Sequence, residues 1–485
     1  MAPSARKESA LSKQEKLELV ADMLEINHTT TVIEAFSLAS KTGLDLRMLY
    51  DIIVGAAGNS TAFQQIGARL LSVDSASTTP SSSMASLQEL ERKVQKVLAE
   101  SVTLGLPLPL TNQSAQLLLA SKKYSSGPDE LAMNALAKTF ETLGSDKIEG
   151  KQKGLSEVTL SDGSQEEKPS SLEKVAFVGL GAMGLGMATS LIKANVPVVG
   201  YDVYPPSLQK FQDVGGKCAK SLEDAVQGAQ CLVLMVVSIQ QAADIILGTS
   251  SSPGIGDLLS PSTPILLHST VPPSEIVQLQ SSLSKLPSKP ILIDAPVSGG
   301  TIRAAQGDLT IIVSADDHTG SVIKSIRPVL DGMTGGLNIK GRLRVLDGGL
   351  GQASFVKLVN QHLAGVHVAL AAESLALSTR LGLHAPDLFE YISKGAGQRG
   401  TSWMFENRVP HMLTGDLTPL SAGAIFVKDL TIVGSEASNL GIPVFLASSA
   451  LQLYIYGVGA GWGGDDDSGI VRMWEPLGIK AHQKW

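Results

Sequence analysis

At 485 residues the chain allows about three domains of ordinary size, and 43% hydrophobic against 18% charged residues is the balance of a globular protein with a substantial core. A formal net charge of −7 argues against a dedicated nucleic-acid-binding surface. The two cysteines, Cys218 and Cys231, suit buried free thiols in a reducing compartment better than a disulfide framework.

In chain order, the opening MAPSARKESALSKQEKLE carries no apolar run of signal-peptide type, so the chain reads as cytoplasmic. Apolar residues then recur at helical spacing over residues 17–70, at Leu17, Leu19, Val20, Leu24, Ile33, Phe36 and Leu38, with a stop at Gly43. A Ser-rich loop runs from Ser72 to Ser86, and residues 1–143 together read as an all-helical domain. Residues 144–171 are polar, charged and poor in apolar residues, which is the composition of a linker.

The next stretch, Lys174 to Leu191, reads KVAFVGLGAMGLGMATSL. Val175 to Val178 form an apolar run suited to a buried parallel strand, and a helical pattern follows the glycines. Gly179, Gly181 and Gly184 make G-x-G-x-x-G. The first allows a tight turn, the second lets a pyrophosphate approach the backbone, and the third lets helix and strand pack closely. Phosphates would sit on the free N–H groups of Gly179-Leu180-Gly181-Ala182-Met183-Gly184, at the positive end of the helix. A second strand, Val196 to Tyr201, leads to Asp202, 18 residues after Gly184 and near the spacing of an acid that binds a ribose 2′-hydroxyl. That carboxylate would repel a 2′-phosphate and no arginine follows it closely, so NAD is favoured over NADP.

Short apolar runs then alternate with helical stretches to about Asp347: CLVLMVV from Cys231, PILLHST from Pro264, ILIDAPVSG from Ile291 and LTIIVSA from Leu309. The alternation predicts βαβ units and a doubly wound parallel sheet, an α/β Rossmann domain over residues 172–347. From about Gly349 the pattern turns to long helices, so residues 348–485 read as a second all-helical domain; Gln352 to Leu381 would span about 45 Å as one helix. Gly441 to Gly464 is uncharged, but Pro443, Gln452 and a glycine cluster make it a buried helix rather than a membrane span.

The two helical regions are copies. LELVADMLEINHTTTVIEAFSLASKTGL from Leu17 lines up without gaps on VKLVNQHLAGVHVALAAESLALSTRLGL from Val356, sharing His28/His367, Glu34/Glu373 and Gly43/Gly382 besides the apolar positions. LGLPLPL from Leu104 answers LGIPVFL from Leu440. In the first copy Glu18 stands at the place of Lys357, Ala21 at that of Asn360, Asp22 at that of Gln361 and Arg92 at that of Lys428, and no glycine-rich loop precedes it.

From Leu172 onward the motifs resemble those of the β-hydroxyacid dehydrogenase family, which includes 3-hydroxyisobutyrate dehydrogenase and tartronate semialdehyde reductase. VAFVGLGAMGLGMA is similar to the family's cofactor fingerprint, DAPVSGGTIRAAQGDLT from Asp294 to its substrate-binding segment, GLGQASFVKLVNQ from Gly349 to its catalytic helix, and FVKDL from Phe426 to its late cofactor contact. The resemblance implies that Ser298, Gly299 and Gly300 hold a substrate carboxylate, that Lys357 is catalytic, and that Thr270 and Lys428 lie near the cofactor. Asn360 and Gln361 share a helix face with Lys357 at i, i+3, i+4 and can orient the substrate. A partly desolvated lysine near a cationic ring would have a lowered pKa and could exchange a proton with the substrate oxygen. No metal is implied.

VNQHLAGVHVALAAES from Val359 and SWMFENR from Ser402 resemble the branch acting on four-carbon sugar acids such as L-threonate; Gln361 and Ser421 depart from the commoner Asn and Phe of the family. The expected activity is therefore NAD-dependent oxidation of a small hydroxy acid. The alternatives are reduction of a semialdehyde such as tartronate semialdehyde and, from another class, a nucleotide-binding scaffold without catalysis. His367, Glu373 and Trp403 read as packing residues. Because helical domains mediate dimer contacts in the family, the first copy is expected to pack on the last domain as an internal pseudo-dimer, with a homo-oligomer, or the remnant of a longer two-unit enzyme, as the alternatives.

Overall fold

Strand β1 (Val175–Val178), third from one edge of a sheet that has nine strands among the described residues, is buried along its whole length. The other strands are β2 (Val198–Tyr201), β3 (Lys217–Cys218), β4 (Cys231–Leu234), β5 (Pro264–Leu267), β6 (Ile291–Asp294), β7 (Val297–Ser298), β8 (Thr310–Ser314) and β9 (Leu343–Leu346). They run in the order β3-β2-β1-β4-β5-β6-β8-β7, with β9 also paired to β8. Val175 sits opposite Val198 on one side and Cys231 on the other. Successive residues face opposite sides: Val175 and Phe177 enter one apolar cluster, Ala176 and Val178 the other. Two covered faces explain the unbroken apolar runs. One correction applies to the expected parallel sheet: β8 runs antiparallel to β6 and β7, so this edge is mixed. The reversal follows from a short connection, since the helix Gly300–Gln306 and the turn after it bring the chain back beside β7.

The computed structural model describes residues 9–72, 84–148, 172–316, 320–335, 342–346 and 349–479. From residue 149 onward the linker reading of 144–171 falls outside them, as do residues 73–83 of the Ser-rich loop and residues 1–8. The chain divides into two units, one of Lys153–Lys357 and one that joins Met1–Gln152 to Leu358–Trp485. In the first unit Cys231 is buried and Cys218 half-buried, both as free thiols.

Among its described residues the second unit is built of helices. Its N-terminal half comprises Lys13–Ser40, Leu46–Val54, Thr61–Leu70, Leu87–Leu104, Pro109–Ser121 and Ala132–Thr142; its C-terminal half comprises most of Gln352–Arg380, then Ala385–Lys394, Trp403–Thr414, Gly423–Leu440 and Phe445–Gly459. The first long helix, Lys13–Ser40, is buried on nearly every side over Leu19–Ala39, and so is the second, Gln352–Arg380, over Ala353–Ser378. Both are therefore central elements rather than surface helices. No helix among the described residues is long and apolar enough to cross a membrane.

The copies pack on one another with reciprocal contacts. The His28 and His367 rings meet edge to face, centroids 4.5 Å apart. Glu34 accepts hydrogen bonds from Leu446 N and Ala447 N at 3.0 and 3.1 Å, at the start of Phe445–Gly459. Glu373 does the same for Leu110 N, at 2.7 Å, and for the Thr111 hydroxyl, at 2.9 Å, at the start of Pro109–Ser121. Each carboxylate satisfies amides that a helix N-terminus leaves without intrahelical partners, and the helix dipole favours an acid there. Burial pushes the Glu373 carboxyl up to about 7. A second symmetric join links Ser60 with Ser402: Thr61 N donates to Thr401 O at 3.1 Å and Trp403 N to Asn59 O at 2.9 Å. Each serine caps its own helix, Ser60 accepting from Phe63 N and Ser402 from Phe405 N.

Candidate active site

The glycine-rich turn follows β1 directly. Gly179 has φ +96°, and a Cβ there would lie 2.2 Å from Met235 O. A Cβ on Gly184 would lie 1.9 Å from Gly179 O. Gly181 differs: it heads the helix Ala182–Lys193, and a Cβ on it would meet nothing within 4 Å. Two glycines thus permit close packing, while the third leaves backbone exposed at a helix N-terminus, the geometry a pyrophosphate requires. The Leu180 side chain is buried in the core, so only its backbone faces the turn; Ala182 is exposed and Met183 half-buried.

Asp202 follows β2 and is tied back to the turn, accepting from Leu180 N at 2.6 Å and from Tyr204 N at 2.8 Å. Val203 and Tyr204 beside it are exposed. Thr270 follows β5 and the buried Ser269, whose hydroxyl donates to Val236 O at 2.7 Å and accepts from Val236 N at 3.0 Å, joining the ends of β4 and β5. His268 Nδ1 donates to Ala295 O at 2.6 Å, and burial holds its imidazole down at about 4.

Ser298 ends β7 opposite Thr310, and Gly299 and Gly300 follow at φ +145° and +70°. Only glycine enters such backbone readily, and it leads straight into the helix Gly300–Gln306. Sequence reasoning missed Asp294, the last residue of β6. This fully buried carboxylate accepts from Ser354 Oγ at 2.6 Å, Ser354 N at 2.8 Å and Ser314 Oγ at 3.2 Å. It therefore caps the first turn of the helix that carries Lys357, three residues on. Burial pushes its carboxyl up to about 6 against those bonds. The available signal was an acid closing an otherwise apolar strand, ILID.

Along the second long helix, Lys357 is 9% and Asn360 4% exposed, and Gln361 is half-buried. A buried lysine is uncommon and is the usual setting for a tuned amine. Beyond it the polar groups form a relay within the helical unit. Gly58 N donates to Asn360 Oδ1 at 2.9 Å, Asn360 Nδ2 to Gln361 Oε1 at 3.2 Å, and Gln361 Nε2 to Asp429 Oδ2 at 2.6 Å. Lys428 Nζ lies 2.7 Å from Asp429 Oδ1. Asp429 and Gly58 were not anticipated; Asp429 is legible as the acid of FVKDL, whereas Gly58 carries no local signal.

The matching face of the first long helix is closed by ions. Arg399 reaches Glu18 at 2.6 Å, Asp22 at 2.9 Å and Glu25 at 3.1 Å. Lys93 reaches Glu25 at 2.8 Å and Asp22 at 3.4 Å, and the Tyr391 hydroxyl donates to Glu18.

Known proteins match these same regions of the chain. Residues 174–341 match the NAD binding domain of 6-phosphogluconate dehydrogenase. The domain described as NAD-binding of NADP-dependent 3-hydroxyisobutyrate dehydrogenase matches twice, at residues 15–138 and 351–474, so both helical copies are of one origin. The chain is 38% identical over 302 residues to an L-threonate dehydrogenase of Cupriavidus necator, covering 62% of this chain and 95% of that one. It is 34% identical over 305 residues to the L-threonate dehydrogenase of Escherichia coli, again covering 62% and 95%. A crystal structure of 3-hydroxyisobutyrate dehydrogenase from Salmonella typhimurium is similar at 33% identity with a TM-score of 0.53, covering 62% of this chain and 99% of that one.

Proposed function

The chain belongs to the β-hydroxyacid dehydrogenase family, a nicotinamide-dependent oxidoreductase of hydroxy acids, and we propose that it oxidises a four-carbon sugar acid, L-threonate first among them, with NAD⁺. The observation that carries this reading is the buried Lys357 on a helix whose first turn is capped by Asp294, with Asn360 and Gln361 on the same face. In this reading the Ser298 hydroxyl and the N–H groups of Gly299 and Gly300 bind the substrate carboxylate. Asn360 and Gln361 orient the carbinol. Lys357, as the neutral amine, accepts the hydroxyl proton while the carbinol carbon gives up its hydride, so the C–H and O–H bonds break and a carbonyl forms. Bound NAD⁺ supplies the hydride acceptor at its nicotinamide ring.

Gly179, Gly181 and Gly184 with the neighbouring amides would hold the pyrophosphate and Asp202 the adenosine ribose, and the family resemblance assigns Thr270 and Lys428 to the nicotinamide end. Asp202 followed by Val203 and Tyr204 supports NAD over NADP, since a carboxylate opposes a 2′-phosphate and no arginine follows it closely in the chain. Residues 172–347 serve as the cofactor domain and 348–485 as the catalytic one, with 1–143 a degenerate copy that substitutes internally for a partner subunit. The protein acts in the cytoplasm, in keeping with two free thiols.

Initial rates of nicotinamide reduction with L-threonate, D-erythronate, glycerate and 3-hydroxyisobutyrate, each with NAD⁺ and NADP⁺, test this directly. L-threonate with NAD⁺ should exceed every other pair by at least about tenfold. Silence across the panel, with nicotinamide binding intact, would overturn it.

A further inference from the structure

The relay through Asn360 runs between two ends that permit only one direction. At one end the Asp429 carboxylate only accepts, so Gln361 must present Nε2 to it and turn Oε1 toward Asn360. Asn360 must then present Nδ2 to Gln361 and turn Oδ1 away. At the other end the Gly58 backbone N–H only donates, and Oδ1 is the atom it meets. One Nδ2 hydrogen is used within the relay; the second is a donor of fixed direction.

Gly58 belongs to the N-terminal copy, in the turn between the helices Leu46–Val54 and Thr61–Leu70. A Cβ on it would lie 2.9 Å from Leu363 Cβ and 3.1 Å from Asn360 O. The same turn of the C-terminal copy places Gly400 over the first long helix, where a Cβ would lie 2.9 Å from Leu24 Cβ and 3.2 Å from Ala21 O. Ala21 and Leu24 align with Asn360 and Leu363, so the two turns are reciprocal. They differ in length and in cargo. Between Gly397 and the bridged Ser402 the C-terminal turn carries Gln398 and Arg399, and Arg399 fills the face of Glu18 and Asp22. Between Ala57 and the bridged Ser60 the N-terminal turn has only Gly58 and Asn59, and it delivers a backbone amide in place of a cation.

We propose that the N-terminal copy is a positioning element for the reaction: the Gly58 N–H fixes the Asn360 amide so that its second Nδ2 hydrogen is presented to the substrate hydroxyl. The proposal rests on the reading of Asn360 as a substrate contact. It gives a domain without reactive residues of its own a defined task, and Gly58 is a positioning residue, one that acts through Asn360.

The test uses the full chain and compares Gly58→Ala, which adds the Cβ but keeps the N–H, with Gly58→Pro, which also removes the donor. With L-threonate and NAD⁺, Gly58→Pro should show kcat/KM at least tenfold below Gly58→Ala, with equal NAD⁺ affinity. Equal kcat/KM in the two variants would overturn the proposal. Amide hydrogen exchange over residues 55–59 gives a readout that does not depend on either variant folding: Asn360→Ala in the unliganded protein should speed exchange at Gly58, and unchanged exchange would also overturn it. If Asn360→Ala turns over L-threonate like the unaltered protein, the reading of Asn360 as a substrate contact fails instead, whatever the exchange shows.

Discussion

The two long helices carry the same apolar pattern and opposite polar faces. On Gln352–Arg380 the face is Lys357, Asn360 and Gln361, with Asp429 beside Gln361. On Lys13–Ser40 the aligned positions are Glu18, Ala21 and Asp22, and Lys93 stands where Asp429 does, paired to Asp22. The charge is inverted at the first and last of these places, and at Asp22 an acid replaces a neutral amide. What both copies keep is what packing needs: His28 against His367, and Glu34 and Glu373 each capping a helix of the other copy. One face carries an amine and two amides tied into a hydrogen-bonded relay, and the other closes into an ion cluster.

The largest effect should come from the reactive face. Lys357→Ala should lower kcat about 10²–10⁴-fold, the usual contribution of a positioned proton acceptor, with NAD⁺ affinity nearly unchanged in a direct titration. Comparable turnover would erase the contrast between the copies.

The shared caps should follow. Glu34→Ala leaves two buried amides without an acceptor and should cost about 2–4 kcal/mol in denaturant unfolding, and Glu373→Ala should cost a similar amount. Strongly unequal costs would show that the reciprocity is geometric but not energetic. Glu373 adds a pH signature. Its carboxyl is raised to about 7 in the fold, so from about pH 4.5 to 7 the native state keeps a proton that the unfolded chain releases. Stability from this group therefore falls as pH rises through that window, and Glu373→Gln should flatten the fall.

The smallest effect should come from the closed face. The Arg399 side chain is 27% exposed, and Arg399→Ala should cost about 1 kcal/mol with KM for substrate and cofactor unchanged. A clear rise in KM would mean that the degenerate face still takes part in binding.

Much of this protein is legible in one dimension. VAFVGLGAMG announces a strand, a turn and a helix, and Gly179 and Gly184 answer local steric demands while Gly181 leaves the helix N-terminus open. The repeat is legible because apolar spacing survives on a buried helix. The mixed edge of the sheet was not, since β7 and β8 are too short for periodicity to report their direction. Nor was Asp294, whose partner Ser354 lies 60 residues away.

The glycine-rich turn and the candidate face of Lys357, Asn360 and Gln361 are readable in one dimension because each rests on spacing within a single turn or helix, and the duplication because two helices share one pattern. What that face touches depends on how the helical unit folds. The Gly58 amide reaches Asn360 from 302 residues away and Arg399 reaches Glu18 from 381. Such contacts depend on how two folded copies meet, and a backbone N–H donates the same bond whatever its side chain, so no residue type could have marked it beforehand.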